Sequence, residues 1–487
     1  MLKPALLSQR RSFPTFTVGQ LAIIPLVNEL NSRLTFTSCH ILSTMRRSFV
    51  AFLVCWCLTN SVVAQRQRTR ENRSTAITHV TVIDPKRASV KRDMSVIIRG
   101  GRVVAVRQSR FSEKERGVKT IDGRGKFLIP GLWDMHVHLG TDDFDKNQML
   151  RLFITQGVTG IRIMSGEPQH HLWRKQIERG ELLGPRMIIA SRIIAGPASF
   201  ASDAIKVKNS EEARAAVRMV AKEHPDFIKV HDGLSREAYF AIIDEAKKFR
   251  LTVAGHVPES ITAAEASNAG QISIEHFTGL SEAETDTAKA DALIPILKRN
   301  HTWLCPTLIM RRNYAVLDEH GLADDSRLRY VAASWKGSWL NMVRDANKTS
   351  PAEWSARRET VRREKLLVDR FQKAGVQILA GTDTSNPFVM PGFGLHDELA
   401  MLAESGLSVM EALRTATENP VEFLQQTKTF GSLKTGRIAD MVLLDANPLE
   451  NIHNTARISV VILRGRLFDR QALDTMLAEI EAAALKN

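Results

Sequence analysis

The feature that most constrains the fold is an alternation of strand-like and helix-like segments between residues 127 and 430. Eight short apolar runs have the length of buried strands, and helical runs such as 211–223, 236–249 and 261–269 separate most of them. Eight strands with intervening helices predict an α/β protein built as a (β/α)8 TIM barrel, with an open parallel sheet as the alternative. The predicted strands are 128–138, 160–164, 187–194, 227–230, 252–256, 272–276, 303–307 and 378–382.

Short strand patterns also flank the barrel region, which we place at residues 127–430. Strands separated by turn residues fill 76–126, and further strand patterns lie within 431–470. Neither piece is long enough to bury a good core alone. We therefore predict that they pack together as one small β-sandwich formed by both chain ends.

Two histidines end the first predicted strand. His136 and His138 are one residue apart, so their side chains leave the same strand face. A buried imidazole needs partners for its nitrogens, and a divalent cation is a good one. Because chemistry in a barrel lies at the carboxyl ends of strands, residues at the ends of later strands are candidates for the same site. These candidates are Lys229, His256, His276 and Asp383. For each of them the alternative is an ordinary structural residue in the core or in a loop.

The run Pro-Gly-Leu-Trp-Asp-Met-His-Val-His at 130–138, with the later Lys, His, His and Gly-Thr-Asp, resembles the amidohydrolase superfamily. The likeness is strongest to its imidazolonepropionase-like branch, which includes prolidase-type metal-dependent dipeptidases, and it runs from about residue 76 to about residue 470. It implies two metal ions bridged by a carboxylated Lys229, and zinc is the expected metal because imidazole and carboxylate ligands suit it. The resemblance assigns the remaining ligands to His136, His138 and Asp383 for one ion and to His256 and His276 for the other.

The implied reaction is hydrolysis of a C–N bond, in an amide or peptide-like small molecule, by a metal-bound hydroxide. Burial lowers a lysine pKa, so a neutral Lys229 amine can add CO2 to form the bridging carbamate. Two cations lower the pKa of water from about 15.7 toward about 7. Asp383 would move the proton from the water to the leaving amine as a general acid–base catalyst. In the one-metal alternative, Lys229 is a plain cation that holds a substrate carboxylate.

The sequence leaves open the identity of the substrate and the roles of several residues and loops around the site. The same ligands suit a phosphotriester, a lactone or the deamination of a heterocycle, and a non-catalytic metal-binding barrel is a further alternative. His231, Tyr314 and His396 are candidate substrate contacts, each with a structural alternative, whereas Glu275 is predicted to face away from His276 in a structural role. The insertion at 308–375 lies on the catalytic face, as a lid or as a packed element.

Residues 45–64 have a basic start, an apolar core and small residues before position 65, as in a secretory signal peptide. This pattern favours Met45 as the true start within a leader at 1–64, and predicts a secreted or periplasmic protein. An uncleaved anchor is the alternative, although the apolar core is short for a membrane span. Cleavage would leave Cys305 as the one remaining cysteine and no intrachain disulfide.

The formal charge of +14 does not indicate a nucleic-acid partner. Apart from 66–70 and 357–365, the basic residues beyond the leader are scattered, and no nucleic-acid-binding motif is present. The cluster at 357–365 is typical of a solvated helix face. A small molecule is the expected partner, and both a monomer and a homo-oligomer remain open.

Overall fold

The computed structural model describes residues 74–109 and 118–486. The predicted leader at 1–64 lies outside these residues, so the expectations of cleavage and export stay predictions. Within them, no helix combines the length and the hydrophobicity needed to cross a bilayer.

Parallel strands at the centre of the described chain form a closed barrel. Hydrogen-bonded ladders join the first to third strands and the fourth to seventh strands. Parallel bridges complete the ring, with Ala190 against Phe227, and with a segment at 378–384 that meets Leu304 on one side and Val137 on the other. The predicted (β/α)8 architecture is thereby confirmed. The regular barrel strands are Leu132–Val137, Val158–Ile163, Arg186–Ile189, Phe227–Val230, Thr252–Gly255, Gln271–Glu275 and Trp303–Cys305.

Helices cover the outside of the barrel, and their ends follow local capping chemistry. Ser235 accepts from the backbone N–H of Ala238, and Thr262 and Glu265 form a reciprocal capping box. Gly270 ends the helix after Thr262 in the left-handed conformation that glycine adopts without steric cost. The principal helices are Leu150–Thr155, Pro168–Arg179, Ser210–Ala221, Arg236–Lys248, Ala263–Ala269, Thr287–Arg299, Leu308–Ala315, Ala333–Asp345, Pro351–Ala374, Phe393–Glu404, Val409–Thr415, Glu418–Phe423 and Arg470–Ala484.

The first predicted strand is divided, which corrects our interpretation of 128–138 as one element. Phe127–Pro130 pairs with the small domain, whereas Leu132–Val137 enters the barrel. The division lies at Gly131, whose N–H donates to Asp440 O at 2.9 Å. A Cβ at this position would collide with the side chain of Thr159, so glycine lets the chain pass between the two sheets.

Strands from both chain ends share one sheet beside the barrel. Its path runs from Arg466–Asp469 through the carboxyl-terminal strands to Phe127–Pro130 and then to the amino-terminal strands. Buried apolar residues such as Ile77, Val96 and Met441 form one core cluster on it. Strands from the two ends of the chain therefore join in one continuous sheet. The predicted boundaries of this domain, 76–126 and 431–470, stay a prediction. Its strands are Ser74–Asp84, Ser89–Arg99, Arg102–Gln108, Val118–Asp122, Phe127–Pro130, Met441–Leu444, Ile458–Leu463 and Arg466–Asp469.

The insertion at 308–375 has an apolar core of its own. Trp339 and Trp354 are buried in one cluster with Leu328, and this cluster includes Phe388 from the loop after the eighth barrel segment. The rings of Trp339 and Phe388 lie 5.5 Å apart. The insertion is thus packed against the catalytic face of the barrel, which agrees with the packing alternative for its tryptophans.

Candidate metal centre

Three of the predicted ligands meet at the junction of the first and eighth barrel segments. The Nε2 atoms of His136 and His138 lie 3.3 and 3.1 Å from Asp383 Oδ1. One ligand atom from each of these residues falls within 4.8 Å of the others. His136 Nε2 is buried and has no hydrogen-bond partner among the described residues. An unsatisfied nitrogen beside a carboxylate is costly to bury and suits a cation as its missing partner.

The strand-five and strand-six histidines lie beside this trio. The ring centre of His276 is 4.7 Å from that of His136 and 4.9 Å from that of His256. His276 Nε2 also lies 3.7 Å from Asp383 Oδ2. The structure therefore brings together the four histidines and the aspartate that the strand-end pattern selected.

The Nδ1 atoms of three of these histidines are fixed as hydrogen donors. His136 Nδ1 donates to Glu275 Oε2 at 2.8 Å, and His256 Nδ1 donates to Asp232 Oδ1 at 2.6 Å, because an ionised carboxylate can only accept. His276 Nδ1 lies 2.6 Å from Thr307 Oγ1, whose own hydrogen is donated to a backbone carbonyl. Each Nε2 therefore keeps its lone pair, which is the tautomer that a metal ligand needs.

The electrostatics of the trio favour the same protonation states. Burial lowers the pKa of His136 to about 4, so its imidazole is neutral at pH 7. Burial opposes ionisation of Asp383, but His136, His276 and His138 overcome this effect and hold the pKa of Asp383 well below its usual range. A neutral His136 beside an ionised Asp383 is the state in which these two side chains bind a cation.

Glu275 faces the site, which corrects the prediction that it points away from His276. Strand alternation would place successive side chains on opposite faces. His276 instead has φ of 59°, in the left-handed region, so the strand alternation stops at this residue. Asp383 has φ of 60° as well. The irregular backbone lets Glu275 hold His136 while His276 joins the same cluster.

A buried arginine completes the support of His136. Arg162 Nη2 donates to Glu275 Oε1 at 2.7 Å, and Arg162 Nη1 donates to Ser273 Oγ at 3.0 Å. Burial alone would raise the pKa of Glu275, but Arg162, His136 and Lys229 together outweigh this effect and keep that pKa well below its usual range. Our sequence reasoning missed Arg162, although a charged residue in the apolar run Gly-Ile-Arg-Ile-Met is a visible signal.

A second pair clamps the first barrel strand to the eighth segment. Asp134 Oδ1 accepts from the Thr382 N–H at 3.0 Å, and Asp134 Oδ2 accepts from Thr382 Oγ1 at 2.7 Å. Burial raises the pKa of Asp134 to about 7. These bonds fix the segment that carries Asp383 against the strand that carries His136. Sequence reasoning missed this role because the two residues are 248 positions apart.

Lys229 lies at the end of the fourth strand and is buried. Burial lowers the pKa of Lys229, although the negative charges of Glu275 and Asp383 act to raise it. A lowered pKa makes the neutral amine accessible, which carbamate formation requires. Lys229 is therefore a buried lysine whose charge interacts with those of Glu275 and Asp383, and its role as a metal bridge stays a prediction.

The three candidate substrate contacts have different environments. The centre of the His231 ring lies 3.8 Å from that of His256, with the rings tilted by 31°, so His231 lies beside the site. Tyr314 donates to Asn386 Oδ1 at 3.0 Å, and Asn386 in turn donates to the carbonyl of Asp383 at 2.9 Å. The structure does not bring His396 to the cluster.

Both ring nitrogens of His396 are occupied, which corrects its candidacy as a substrate contact. Its Nδ1 lies 2.9 Å from Thr455 Oγ1, and its Nε2 donates to Gln156 O at 3.1 Å. The residue is buried, and burial lowers its pKa to about 4. His396 therefore joins the helix after strand eight to the neighbouring segments as a packing residue.

The donor set fits a divalent cation with nitrogen and oxygen ligands. Catalytic zinc sites use imidazole and carboxylate ligands. A ligating histidine usually has its Nδ1 hydrogen held by a hydrogen bond, which leaves the Nε2 lone pair free for the metal. A second group of atoms within 4.8 Å of one another comes from His231, Asp232 and His256. Metal identity and number remain matters for proposal.

Comparisons with known proteins agree with this geometry. An ochratoxinase of Aspergillus niger is 25% identical over 383 residues, covering 67% of this chain and 71% of that protein. The structure of a bottromycin amidohydrolase matches with a TM-score of 0.70 and 26% identity, over 87% of this chain and 93% of that one. A putative prolidase from Bifidobacterium longum matches with a TM-score of 0.67 and 25% identity, over 84% and 99% of the two chains.

The family assignment rests on the largest part of the chain. A model of the amidohydrolase family matches residues 127–468, which span the barrel and the carboxyl-terminal strands of the small domain. Enzymes of this family are generally metal-dependent and act on small molecules. The resemblance to the imidazolonepropionase-like, prolidase-type branch is confirmed. This chain belongs to the amidohydrolase family and is a hydrolase that acts on carbon–nitrogen bonds.

Proposed function

We propose that this protein is an exported, zinc-dependent hydrolase that cleaves an amide or peptide-like C–N bond in a small molecule. The observation that carries the proposal is the orphaned His136 Nε2, which faces Asp383 Oδ1 at 3.3 Å while its Nδ1 is fixed by Glu275. The names of the similar amidohydrolase and prolidase proteins support an amide bond over a phosphotriester or lactone.

The proposed ligands form two groups that share the barrel mouth. His136, His138 and Asp383 would hold one ion, and His256 and His276 would hold a second, with a carboxylated Lys229 as the bridge. When bound, the ions supply positive charge that polarises the substrate carbonyl and lowers the pKa of water. Burial of Lys229 supports the bridge, because an uncharged amine is the form that reacts with CO2.

Asp383 is the proposed general acid–base catalyst. Its carboxylate is ionised and buried, so it can accept a proton from the attacking water. It then donates that proton to the departing amine nitrogen as the C–N bond breaks. A transfer of this kind is worth about 10²- to 10⁴-fold in rate. Tyr314 and Asn386 position this group, since Asn386 donates to the Asp383 carbonyl at 2.9 Å.

The proposal that the protein is exported rests on the predicted leader at 1–64. Removal of 1–64 would take away Cys39, Cys55 and Cys57 and leave buried Cys305. A single buried thiol is compatible with an oxidising compartment because it has no intrachain partner. Amino-terminal sequencing of the protein recovered from the producing cells tests this part, and an intact leader on the recovered protein would contradict it.

The central experiment is a metal-dependence assay with a panel of dipeptides and N-acyl amino acids. We expect chelation to abolish hydrolysis, zinc to restore it, and metal analysis to return about two equivalents, as in two-metal sites. His136→Ala and Asp383→Asn should lose activity by at least about 10²-fold. His453→Ala is the matched control, because His453 is an exposed histidine of the short helix Ile452–Ala456. Full activity of both site variants, or a metal content well under one equivalent, would overturn the proposal.

A further inference from the structure

Phe200 is an exposed aromatic side chain beside the metal centre. Its side chain lies in the loop between the short strands Ile194–Ala195 and Ile205–Lys206, and the residue is 80% exposed. Its ring makes an edge-on contact with His231, with the ring centres 5.0 Å apart. Phe200 therefore presents an open apolar face next to His231, a histidine that lies beside the cluster.

The loop that presents Phe200 is tied to the barrel by several contacts. Gly196 N donates to Asp232 O at 3.0 Å, and Lys206 Nζ donates to Ser199 O at 2.7 Å. Ser199 Oγ and His231 Nδ1 are hydrogen-bonded at 3.1 Å. A Cβ at Gly196 would overlap the backbone of Gly233, so the loop also lies directly against the segment after the fourth strand. Phe200 is therefore held at a defined place.

A continuous row of rings leads from this place to the proposed ligands. Phe200 contacts His231, and the His231 ring lies 3.8 Å from that of His256, centre to centre. A flat apolar group placed against Phe200 would therefore lie at the His231 end of this row, which leads to the proposed ligand His256. Such a group gains stacking or edge-to-face contact with Phe200 and removes apolar surface from water.

We propose that Phe200 and His231 form a substrate subsite for a planar aromatic group adjacent to the scissile C–N bond. This inference rests on the proposed function, because it assigns a substrate class to that same site. It makes Phe200 a specificity-determining residue, since the ring contacts the substrate beside the reacting atoms and moves no proton.

The test compares two matched pairs of substrates with Phe200→Ala. N-acetyl-L-phenylalanine is paired with N-acetyl-L-alanine, and N-benzoylglycine with N-acetylglycine, so that the ring lies on either side of the bond. In at least one pair, we expect the wild type to hydrolyse the aromatic substrate with a kcat/KM at least about tenfold higher than that of its partner. Phe200→Ala should lower this ratio of kcat/KM values about tenfold, mainly by raising KM for the aromatic substrate. Phe249→Ala, which removes a 45% exposed phenylalanine at the end of Arg236–Lys248, is the control and should keep the ratio.

Binding of N-benzoylglycine and of L-phenylalanine by zinc-loaded protein, measured by calorimetry, separates the two proposals. Hydrolysis with the same substrate ratio in wild type and Phe200→Ala would overturn the subsite and leave the proposed function standing. Phe200-dependent binding of either probe without hydrolysis of any pair would support the subsite and count against the proposed function. If no pair is hydrolysed and neither probe binds, both the subsite and the proposed function are overturned.

Discussion

His136 Nδ1 donates a hydrogen bond of 2.8 Å to Glu275 Oε2, and both side chains are fully buried. Glu275 in turn forms a 2.7 Å ion pair with Arg162, which is buried as well. The orientation of a proposed ligand therefore depends on a charge pair that never reaches solvent. Such partners of a ligating histidine commonly tune metal affinity.

Glu275→Gln should weaken zinc binding by about 10- to 100-fold, because a neutral amide polarises the imidazole less than a carboxylate does. It should also lower the free energy of unfolding by about 3–5 kcal/mol, since Arg162 loses its buried counter-charge. Competition with a zinc chelator measures the first effect and denaturant titration the second. Glu282→Gln, at a carboxylate 78% exposed, should change neither quantity. Wild-type zinc affinity in Glu275→Gln would refute the positioning role.

Lys229→Met should reduce the bound zinc from about two equivalents to about one, because it removes the bridge that two-metal sites share. Methionine fills a similar apolar volume, so the barrel core should remain intact. Metal analysis gives the stoichiometry, and ¹³C NMR after addition of ¹³C-bicarbonate should show a carbamate signal in the wild type alone. Lys373→Met, at an exposed lysine, is the matched control. Two equivalents of zinc in Lys229→Met would sink the bridging role.

Glu398 should make the protein less stable as the pH rises. Burial raises the pKa of Glu398 from 4.5 to about 8, and its Oε2 accepts from the Ile309 N–H at 2.8 Å. The folded state therefore holds a proton that the unfolded state releases above pH 4.5, so this contribution is complete below 4.5 and is lost as the pH rises toward 8. The slope should reach about 1.4 kcal/mol per pH unit.

Glu398→Gln should flatten this dependence, because glutamine mimics the protonated acid at every pH. Denaturant titration at about pH 5 and about pH 8 measures the difference in unfolding free energy. Glu404→Gln, in the same helix but 58% exposed, should leave the slope as it is. An equal slope in wild type and Glu398→Gln would show that this carboxyl is already ionised in the folded protein.

Trp339→Ala should loosen the insertion and spare the barrel. Trp339 is 4% exposed and is packed 5.5 Å from Phe388, so its truncation should cost about 3–5 kcal/mol locally. Hydrogen exchange should then accelerate across Ala333–Asp345, while the strand Phe227–Val230 keeps its protection. Trp335→Ala, at a half-buried ring, should show a smaller effect. Faster exchange across both regions would mean that the insertion and barrel unfold as one unit.

Much of the barrel was predictable because strand and helix periods are local properties. The fourth strand has the predicted bounds, Phe227–Val230, and the helix predicted at 236–249 spans Arg236–Lys248. The strand-end rule selected residues that do meet, including His136 and Asp383.

The sequence pattern failed where the backbone departs from regular geometry. Strand alternation placed Glu275 on the wrong face, because the pattern does not reveal the left-handed φ of His276. The division of the first strand at Gly131 depends on contacts with Thr159 and Asp440, which are distant in sequence. Long-range partners such as these become visible only when the sheets are assembled.

The seam between the first and eighth barrel segments has a consequence for biosynthesis. Asp134 and Thr382 are separated by 248 positions, and their bonds form only when nearly the whole barrel has been made. The carboxylate of the trio arrives with that last segment. A nascent or truncated chain thus carries the histidines without their aspartate. If Asp383 has the role that we propose, hydrolytic activity begins only when the ring of strands is complete.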